Sequence, residues 1–382
     1  VAAALLDLTH AQRAYVLALS ILLAGCLQVA VQARALGRLG FRFQFNWPAS
    51  RDSVCRVLRA TAPMVLGLAV TQINTFLDSL MAWGLTAPTA GVPIAWLGGL
   101  VDYPFRHGAA AAIYFAERLY QFPLGILGMA VATVIFPTLS RHAARGASRE
   151  LGADLSLALR LVLLLGLPAS AGLVLLAGPL AELFFLHGEV TADDATRVAR
   201  VIACYGVGVW AFCASPALVR GFYARGDQRT PLRMAGLAMA VNVVLNMLLV
   251  WPLGECGLAL STSLAAAIQL AGLTWAFDRN GATLTWHALR RSLWQSGVAT
   301  AGMVAACGLV LAAVPSAGHG GLPRVAGAVV AGMAAVGVIA RLFAMDELDL
   351  VWPRRQPRDL RSGQTQAPAS GPQGVSQAAT IR

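Results

Sequence analysis

The chain has 382 residues, of which 57% are hydrophobic and 12% are charged, against about 25% charged residues in an ordinary soluble domain. Its mean hydropathy is +0.65, so the composition excludes a soluble enzyme, a disordered protein and a secreted disulfide scaffold. The 29 basic residues are all arginine and, against 18 acidic residues, give a formal net charge of +11.

Nine segments are apolar and long enough, at about 20 residues each, to cross a membrane as helices. In chain order they are 14–34, 56–84, 110–138, 156–178, 197–219, 231–252, 257–277, 293–314 and 324–344. We therefore predict an all-α fold, a polytopic bundle of membrane helices. The end of the chain is rich in Pro, Gln, Ser, Gly and Arg, which predicts a disordered tail over 346–382.

Arginine residues mark every second loop. Clusters follow the first, third, fifth, seventh and ninth spans, whereas the intervening loops contain few, with Arg106 in the long loop 85–109 as the main exception. This alternation is the positive-inside pattern. It predicts that the chain starts outside the cell, that its C-terminus is cytoplasmic, and that the basic charge serves topology rather than nucleic acid.

A polar cluster lies in the third predicted span. Glu117 and Gln121 are four residues apart and share a helix face, whereas Arg118 points about 100° away. Charges at membrane depth are costly, and they mark candidate sites. A guanidinium that faces a water-filled cavity suits a phosphate or pyrophosphate, because its planar fork binds oxyanions at two points. The alternative is an Arg–Glu pair that only fixes helix packing.

A second polar group is spread over three spans. Asp78 lies in the second span, Asn242 and Asn246 lie four residues apart in the sixth, and Thr262 follows Leu258 by one turn in the seventh. A carboxylate, two amide oxygens, a hydroxyl and a backbone carbonyl suit a small hard cation such as Na⁺. Hydrogen bonds between membrane helices are the alternative interpretation.

The sequence contains no H-E-x-x-H, G-x-S-x-G or P-loop motif. We therefore predict that the chain is not an enzyme and that it carries no cofactor, with Na⁺ as the one candidate ion. The six cysteines are scattered without a C-x-x-C pair, which is typical of small apolar residues in helices.

Three stretches resemble the MurJ (MviN) family, the lipid II flippases of bacterial cell-wall synthesis, which belong to the MOP exporter superfamily. The first is 62–78, APMVLGLAVTQINTFLD. The second runs from Tyr114 to Ser140 and includes YFAERL, FPLGILG and FPTLS. The third runs from Gly221 to Ala265 and includes FYARGDQRTP, VNVVLN and GLALSTSLAA. The likeness covers most of 14–345.

The resemblance implies a fold of fourteen spans, with two lobes of six and two additional C-terminal helices. The nine spans here would be the last nine, so that the first five helices are absent. Residues 1–35 would then be the last helix of the N-lobe, 36–55 a basic cytoplasmic linker, and 56–278 a MATE-like, six-helix C-lobe. Residues 279–345 would form a two-helix groove for a lipid tail, followed by the cytoplasmic tail.

The resemblance also implies an activity and two sites. The protein would move lipid II, an undecaprenyl-pyrophosphate-linked peptidoglycan precursor, across the bacterial cytoplasmic membrane by alternating access. Arg118 would bind the substrate together with Glu117, where the family usually has Asp, and Gln121, where it often has Glu. Na⁺ or the membrane potential would drive the cycle. The family's sodium site would map onto Asp78, Asn242, Asn246, the Leu258 carbonyl and Thr262.

Other functions stay open at this point. One is another MOP-type exporter, for a different lipid-linked glycan or a drug. A comparison of the protein's binding to lipid II and to an undecaprenyl-linked O-unit would distinguish these exporters. A second is a truncated remnant that does not transport, which the genomic sequence upstream of Val1 would reveal. A third is a membrane enzyme, which would turn over a substrate in purified form.

Overall fold

The computed structural model describes residues 10–38, 40, 47–87, 102–186, 190–279, 284–314 and 321–343. Apart from turns and one backbone bridge between Thr86 and Phe105, these ranges are helical. The helices are α1 (His10–Arg38), α2 (Trp47–Gly84), α3 (Ala109–Pro123), a π-helical segment (Leu124–Met129), α4 (Ala130–Ala144), α5 (Ser148–Leu175), α6 (Ala177–Phe185), α7 (Ala192–Gly206), α8 (Val209–Ala224), α9 (Arg229–Leu253), α10 (Glu255–Arg279), α11 (Trp286–Ala313) and α12 (Gly321–Leu342).

Eight helical segments among the described residues are long and apolar enough to cross a membrane, and α7 with α8 gives a ninth if this pair is counted as one span. All nine predicted spans overlap these segments. The third runs through α3, the π-helical segment and α4 as one stretch of 36 residues, and the fifth is the α7–α8 pair, bent by 42°. The predicted all-α, multi-pass membrane fold is therefore confirmed.

The chain divides into two compact units, Val1–Ala62 and Pro63–Arg382. The first contains α1 and the beginning of α2, and apolar side chains of α1 such as Leu22 and Leu23 are exposed. The second contains the rest of α2 and all later helices. The domain boundaries expected from the sequence stay predictions. The expected tail 346–382 lies outside the described residues, as do parts of the linker 36–55 and of loop 85–109.

Within the second unit, consecutive helices pack as antiparallel hairpins. α9 packs on α10 and α11 packs on α12, while α5 lies between α8 and α11. The interior contains fully buried aromatic side chains, among them Phe222 and Phe277, whose ring centroids are 5.2 Å apart in an edge-to-face pair. Large apolar residues such as Val134 and Trp275 are exposed on outer faces, as expected of helices that lipid surrounds.

The alternating helix directions separate the turns into two ends of this unit. The α4–α5 and α8–α9 turns lie at one end, where Arg145, Arg149, Arg225 and Arg229 are found. The end of α10 and the start of α11 lie there as well. The starts of α3 and α7 and the α9–α10 turn lie at the other end. The arginine clusters that follow the third, fifth and seventh predicted spans thus collect at one end of this unit.

The π-helical segment follows a proline inside the third span. Pro123 has no backbone N–H and breaks the regular α-helical hydrogen bonding, and the wider turn of the next six residues accommodates that interruption. Gly128 lies here because a Cβ atom at this position would stand 2.9 Å from the Cα atom of Cys213 on α8. The segment therefore lets the third span pass α8 at very short range.

The bend between α7 and α8 is held by serine side chains of neighbouring helices. Ser263 on α10 donates a hydrogen bond to the Cys204 carbonyl at 2.8 Å, and Ser170 on α5 donates to the Gly206 carbonyl. Both carbonyls belong to the last turn of α7. Polar partners of this kind are what a break in a membrane helix requires, since lipid offers none.

Gly208 sits at this bend against α10, and we expect its replacement with alanine to lower stability. A Cβ atom at Gly208 would stand 2.7 Å from the Cα atom of Ser263, so that the two helices must separate. Overpacking of this kind costs about 1–3 kcal/mol. Thermal unfolding of the purified protein in detergent measures the effect. The matched control is Gly297→Ala on α11, where an added Cβ meets nothing within 4 Å and helix propensity favours alanine. A G208A protein as stable as the control would contradict this account of the bend.

Candidate functional site

The predicted substrate-binding residues lie on α3, one turn before Pro123. Glu117 points into the bundle and is 7% exposed, whereas Arg118 is on the exposed surface of the helix. Gln121 is half-buried between these two faces. The side chains of Glu117 and Arg118 therefore lie on different faces of α3, and no ion pair joins them in the described part of the chain.

Gln121 forms its contact with Arg118 rather than with Glu117. An Nη1 hydrogen of Arg118 is donated to Oε1 of Gln121 at 2.8 Å, and the guanidinium carbon lies 4.5 Å from the centroid of the Tyr114 ring. Both partners belong to α3 and both are neutral, so they orient the guanidinium without cancelling its charge. An exposed, oriented fork with free N–H groups can bind an oxyanion.

Glu117 belongs to a buried aromatic cluster that the sequence did not reveal. The hydroxyl of Tyr205 on α7 is 3.5 Å from Oε1 of Glu117 and donates toward it. The ring of Tyr120 stacks between Tyr205 and Phe212, with centroid distances of 4.8 Å and 5.0 Å. Tyrosines within otherwise apolar spans were the available signal, since a buried phenol needs a polar partner. Glu117 therefore couples α3 to α7 and is placed away from the exposed face of Arg118.

The five residues of the predicted cation site meet in the structure. Asp78 on α2 is 2% exposed, and Asn242 and Asn246 on α9 are 1% and 0% exposed. Nδ2 of Asn246 donates to Oδ1 of Asp78 at 2.6 Å and to Oδ1 of Asn242 at 3.0 Å. On α10, Oγ1 of Thr262 is 3.3 Å from Oδ2 of Asp78 and 3.0 Å from the Leu258 carbonyl. Residues from three helices thus surround one carboxylate.

Two oxygen atoms beside this carboxylate have no hydrogen-bond partner in the described structure. They are Oδ1 of Asn246 and Oδ1 of Asn74, and both are buried. Asn74 lies one turn before Asp78 on α2, and its Nδ2 is 3.4 Å from Oδ2 of the carboxylate. A buried carbonyl oxygen without a donor is costly, and a cation is one partner that would satisfy it.

The donor atoms of this cluster fit a small monovalent cation. Carboxylate, amide, hydroxyl and backbone oxygens are hard ligands, which suit Na⁺ and the alkaline-earth ions more than transition metals. Asp78 is the one charged residue among the five, so a divalent cation would leave a net positive charge in a buried place, at high cost. Elsewhere in the described residues no group of three His, Cys, Asp or Glu side chains has metal-site geometry.

An apolar cavity of about 470 Å³ lies beside the predicted lipid-tail region. Its lining comes from α5, from the α7–α8 junction and from α11, and includes Val174, Val207 and Val304. α11 and α12 themselves pack closely, with the Cys307 thiol 3.1 Å from the Ala328 carbonyl. In the described residues, therefore, this apolar space lies between α11, α5 and the α7–α8 junction.

Comparisons with known proteins agree with the fold. The family described as "Lipid II flippase MurJ" matches residues 1–321. A "Probable lipid II flippase MurJ" of Vibrio cholerae is 32% identical over 278 residues, which are 73% of this chain and 49% of that protein. One from Rhizobium tropici is 32% identical over 280 residues, again 73% and 49%. The chain spans about half the length of these curated relatives.

A solved structure has a similar fold. "Lipid II flippase MurJ, inward closed conformation" superposes with a TM-score of 0.61 at 20% sequence identity, and the match covers 82% of this chain and 58% of that one. This likeness shows that the helical fold is shared. The family match over residues 1–321 and the two relatives above 30% identity lead to one conclusion: the chain belongs to the MurJ family of lipid II flippases.

Proposed function

We propose that the protein moves lipid II, the undecaprenyl-pyrophosphate-linked precursor of peptidoglycan, across the bacterial cytoplasmic membrane without altering it chemically. Family membership supports the substrate class. The observation that carries the proposal is the geometry at Arg118, an exposed guanidinium oriented by two neutral side chains of its own helix. Flipping occurs by alternating access around a cationic cavity, as in transporters whose binding sites lie near the middle of the membrane.

Arg118 holds the pyrophosphate of the precursor. The Nη1 hydrogen given to Gln121 occupies one donor, and the remaining N–H groups of the guanidinium stay available for phosphate oxygens. Neutral Gln121 matters here, because a carboxylate at this position would pair with the guanidinium and compete with the cargo. Glu117, engaged by Tyr205, anchors α3 behind the site rather than contacting the pyrophosphate.

The lipid tail is accommodated by apolar surface on the C-terminal helices. The cavity of about 470 Å³ between α5, α8 and α11 is lined almost wholly by apolar side chains and opens at exposed residues such as Val207 and Val304. Burial of hydrocarbon there costs nothing relative to lipid. The charged head group can therefore lie at α3 while the tail stays within the apolar part of the membrane.

The return of the empty protein is driven by Na⁺ at the Asp78 cluster or by the membrane potential acting on cavity charge. The potential contributes about 2.3 kcal/mol per elementary charge per 100 mV, enough to bias two conformations. Under the positive-inside rule we infer that the arginine-rich end of the bundle faces the cytoplasm, and that the C-terminus is cytoplasmic as well.

Complementation tests the proposed activity. The gene that encodes this chain is expressed in a bacterium whose own lipid II flippase is depleted. Growth and outward exposure of lipid II, measured by its cleavage with an externally added enzyme, are the expected result. Stable expression in the membrane with neither growth nor outward lipid II would refute the proposal.

A further inference from the structure

A polar cavity of about 260 Å³ opens at the end of the bundle opposite the arginine-rich turns. It lies between the segment before α3, the first turns of α7 and the α9–α10 turn. Three arginines line it, Arg106, Arg197 and Arg200, and we name it the outer arginine pocket. Arg106 is the residue that departs from the loop alternation in the sequence.

Topology does not account for three arginines at this place. The positive-inside pattern depletes arginine at this end of the helices. Among the described residues of the second unit, the other arginine here is Arg324 at the start of α12, and it donates to the Leu311 carbonyl at 2.8 Å. The remaining arginines of this end thus line a single cavity, which indicates a binding site rather than a determinant of topology.

Arg197 is held in place at one side of the pocket by its own contacts. Its guanidinium is ion-paired with the carboxylate of Glu255, the first residue of α10, and donates to the His107 carbonyl at 3.1 Å. The side chains of the ion pair are 15% and 11% exposed. Gly254, at φ 59°, brings the α9–α10 turn so close that a Cβ there would lie 3.4 Å from the Pro104 carbonyl. These contacts therefore hold the segment before α3, the start of α7 and the α9–α10 turn together around the cavity.

The positive charges of Arg106 and Arg200 are not neutralised by an ion pair in the described part of the chain. Both side chains are exposed, and among the residues that the structure describes neither guanidinium forms an ion pair or a hydrogen bond. The lining contains two carboxylates: Glu255, which Arg197 neutralises, and the exposed Asp193 at the rim. Arg197 is also paired with Asp194, at 3.5 Å, so its charge is matched within its own ion pairs. Arg106 and Arg200 therefore face one further carboxylate, that of Asp193.

We propose that the outer arginine pocket binds a phosphate-class oxyanion at the membrane surface, held by Arg106 and Arg200. Two guanidinium forks on either side of a small cavity match the oxygen atoms of a phosphate. Trp251, just before the pocket on α9, and Leu253, in its lining, are 42% and 44% exposed, and tryptophan marks the depth of lipid headgroups. The oxyanion is therefore a phospholipid headgroup or a soluble phosphate. This binding is independent of the transport proposed above.

Arginine footprinting on the purified chain in a phosphate-free detergent tests the proposal. Phenylglyoxal modifies exposed arginines, and mass spectrometry gives the rate at each position. Sodium pyrophosphate and a short-chain phosphatidylglycerol are the two probes. At about ten times its dissociation constant, at least one of them should slow modification of Arg106 and Arg200 by about tenfold, because only the unoccupied site reacts. Arg149, at the opposite end, should be unaffected. Protection by pyrophosphate indicates a soluble anion, and protection by phosphatidylglycerol alone indicates a headgroup.

A double variant provides the second measurement. R106Q/R200Q removes both charges yet leaves the Arg197–Glu255 pair intact, so the protein should fold normally. Its affinity for the protecting probe should fall by about 100-fold, as the loss of two charge-assisted hydrogen bonds implies, and R149Q should bind like the wild type. Failure of both probes to protect at saturating concentration, or unchanged affinity in the double variant, would overturn the proposal.

Discussion

Replacing Arg118 with alanine is expected to abolish outward movement of lipid II while leaving the fold intact. The guanidinium is exposed, and its contacts with Tyr114 and Gln121 are local to α3. Such pairs along one helix contribute about 0.2–0.5 kcal/mol, too little to unfold the protein. Two charge-assisted hydrogen bonds to a phosphate are worth about 3 kcal/mol or more, so the variant should lose about 100-fold in affinity for the pyrophosphate.

The measurement is complementation of a flippase-depleted strain, with membrane expression checked in parallel. Arg118→Lys keeps the charge but loses the planar fork, and we expect partial activity from it. Arg145→Ala, an exposed arginine at the arginine-rich end, is the matched control and should support growth. Normal growth with R118A would show that the pyrophosphate is held elsewhere.

Replacing Asp78 with asparagine is expected to remove any stabilisation of the protein by Na⁺. The carboxylate supplies the one negative charge among the five predicted ligands, and without it a buried cation has no counter-charge. A cation that binds only the folded protein stabilises it by about 2.7 kcal/mol at a hundred times its dissociation constant. The thermal unfolding temperature should thus rise with NaCl in the wild type and stay constant in D78N, with choline chloride holding ionic strength fixed.

Asp78→Ala should have a second, ion-independent effect. It leaves the donors of Asn246 and Thr262, now directed at Asp78 at 2.6 Å and 3.3 Å, without an acceptor in a buried place. Each such loss costs about 1–3 kcal/mol, so D78A should unfold at a lower temperature than D78N. Ser261→Ala, which removes a hydroxyl bonded to Gly257 in its own helix, is the control and should keep the Na⁺ response. A full response in D78N would mean that Na⁺ acts at another place.

Helical periodicity predicted much of this molecule. Runs of about 20 apolar residues identified every span, because lipid leaves the backbone few alternatives to a helix. The spacing of four between Asn242 and Asn246 placed both on one face of α9, and in the structure Asn246 donates to both Asp78 and Asn242. Periodicity of this kind is a local property of the chain. It was sufficient to predict a site to which each helix contributes residues from one face.

Contacts between residues far apart in the chain could not be predicted from the sequence. The same spacing of four suggested that Glu117 and Gln121 act together, yet packing against Tyr205 draws the first inward while Arg118 captures the second. The 42° bend between α7 and α8 depends on Ser263 and Ser170 from other helices. The outer arginine pocket likewise joins residues about 90 positions apart, whose approach is set by tertiary packing alone.

The central claim is that the guanidinium at position 118 recognises the pyrophosphate of a lipid-linked precursor. Equilibrium binding of lipid II to the purified protein, compared between the wild type and R118A, tests it most directly. The account predicts that the wild type binds about 100-fold more tightly, that added salt reduces this advantage, and that an uncharged undecaprenyl lipid binds both proteins alike. Equal affinity of the two proteins for lipid II would contradict it.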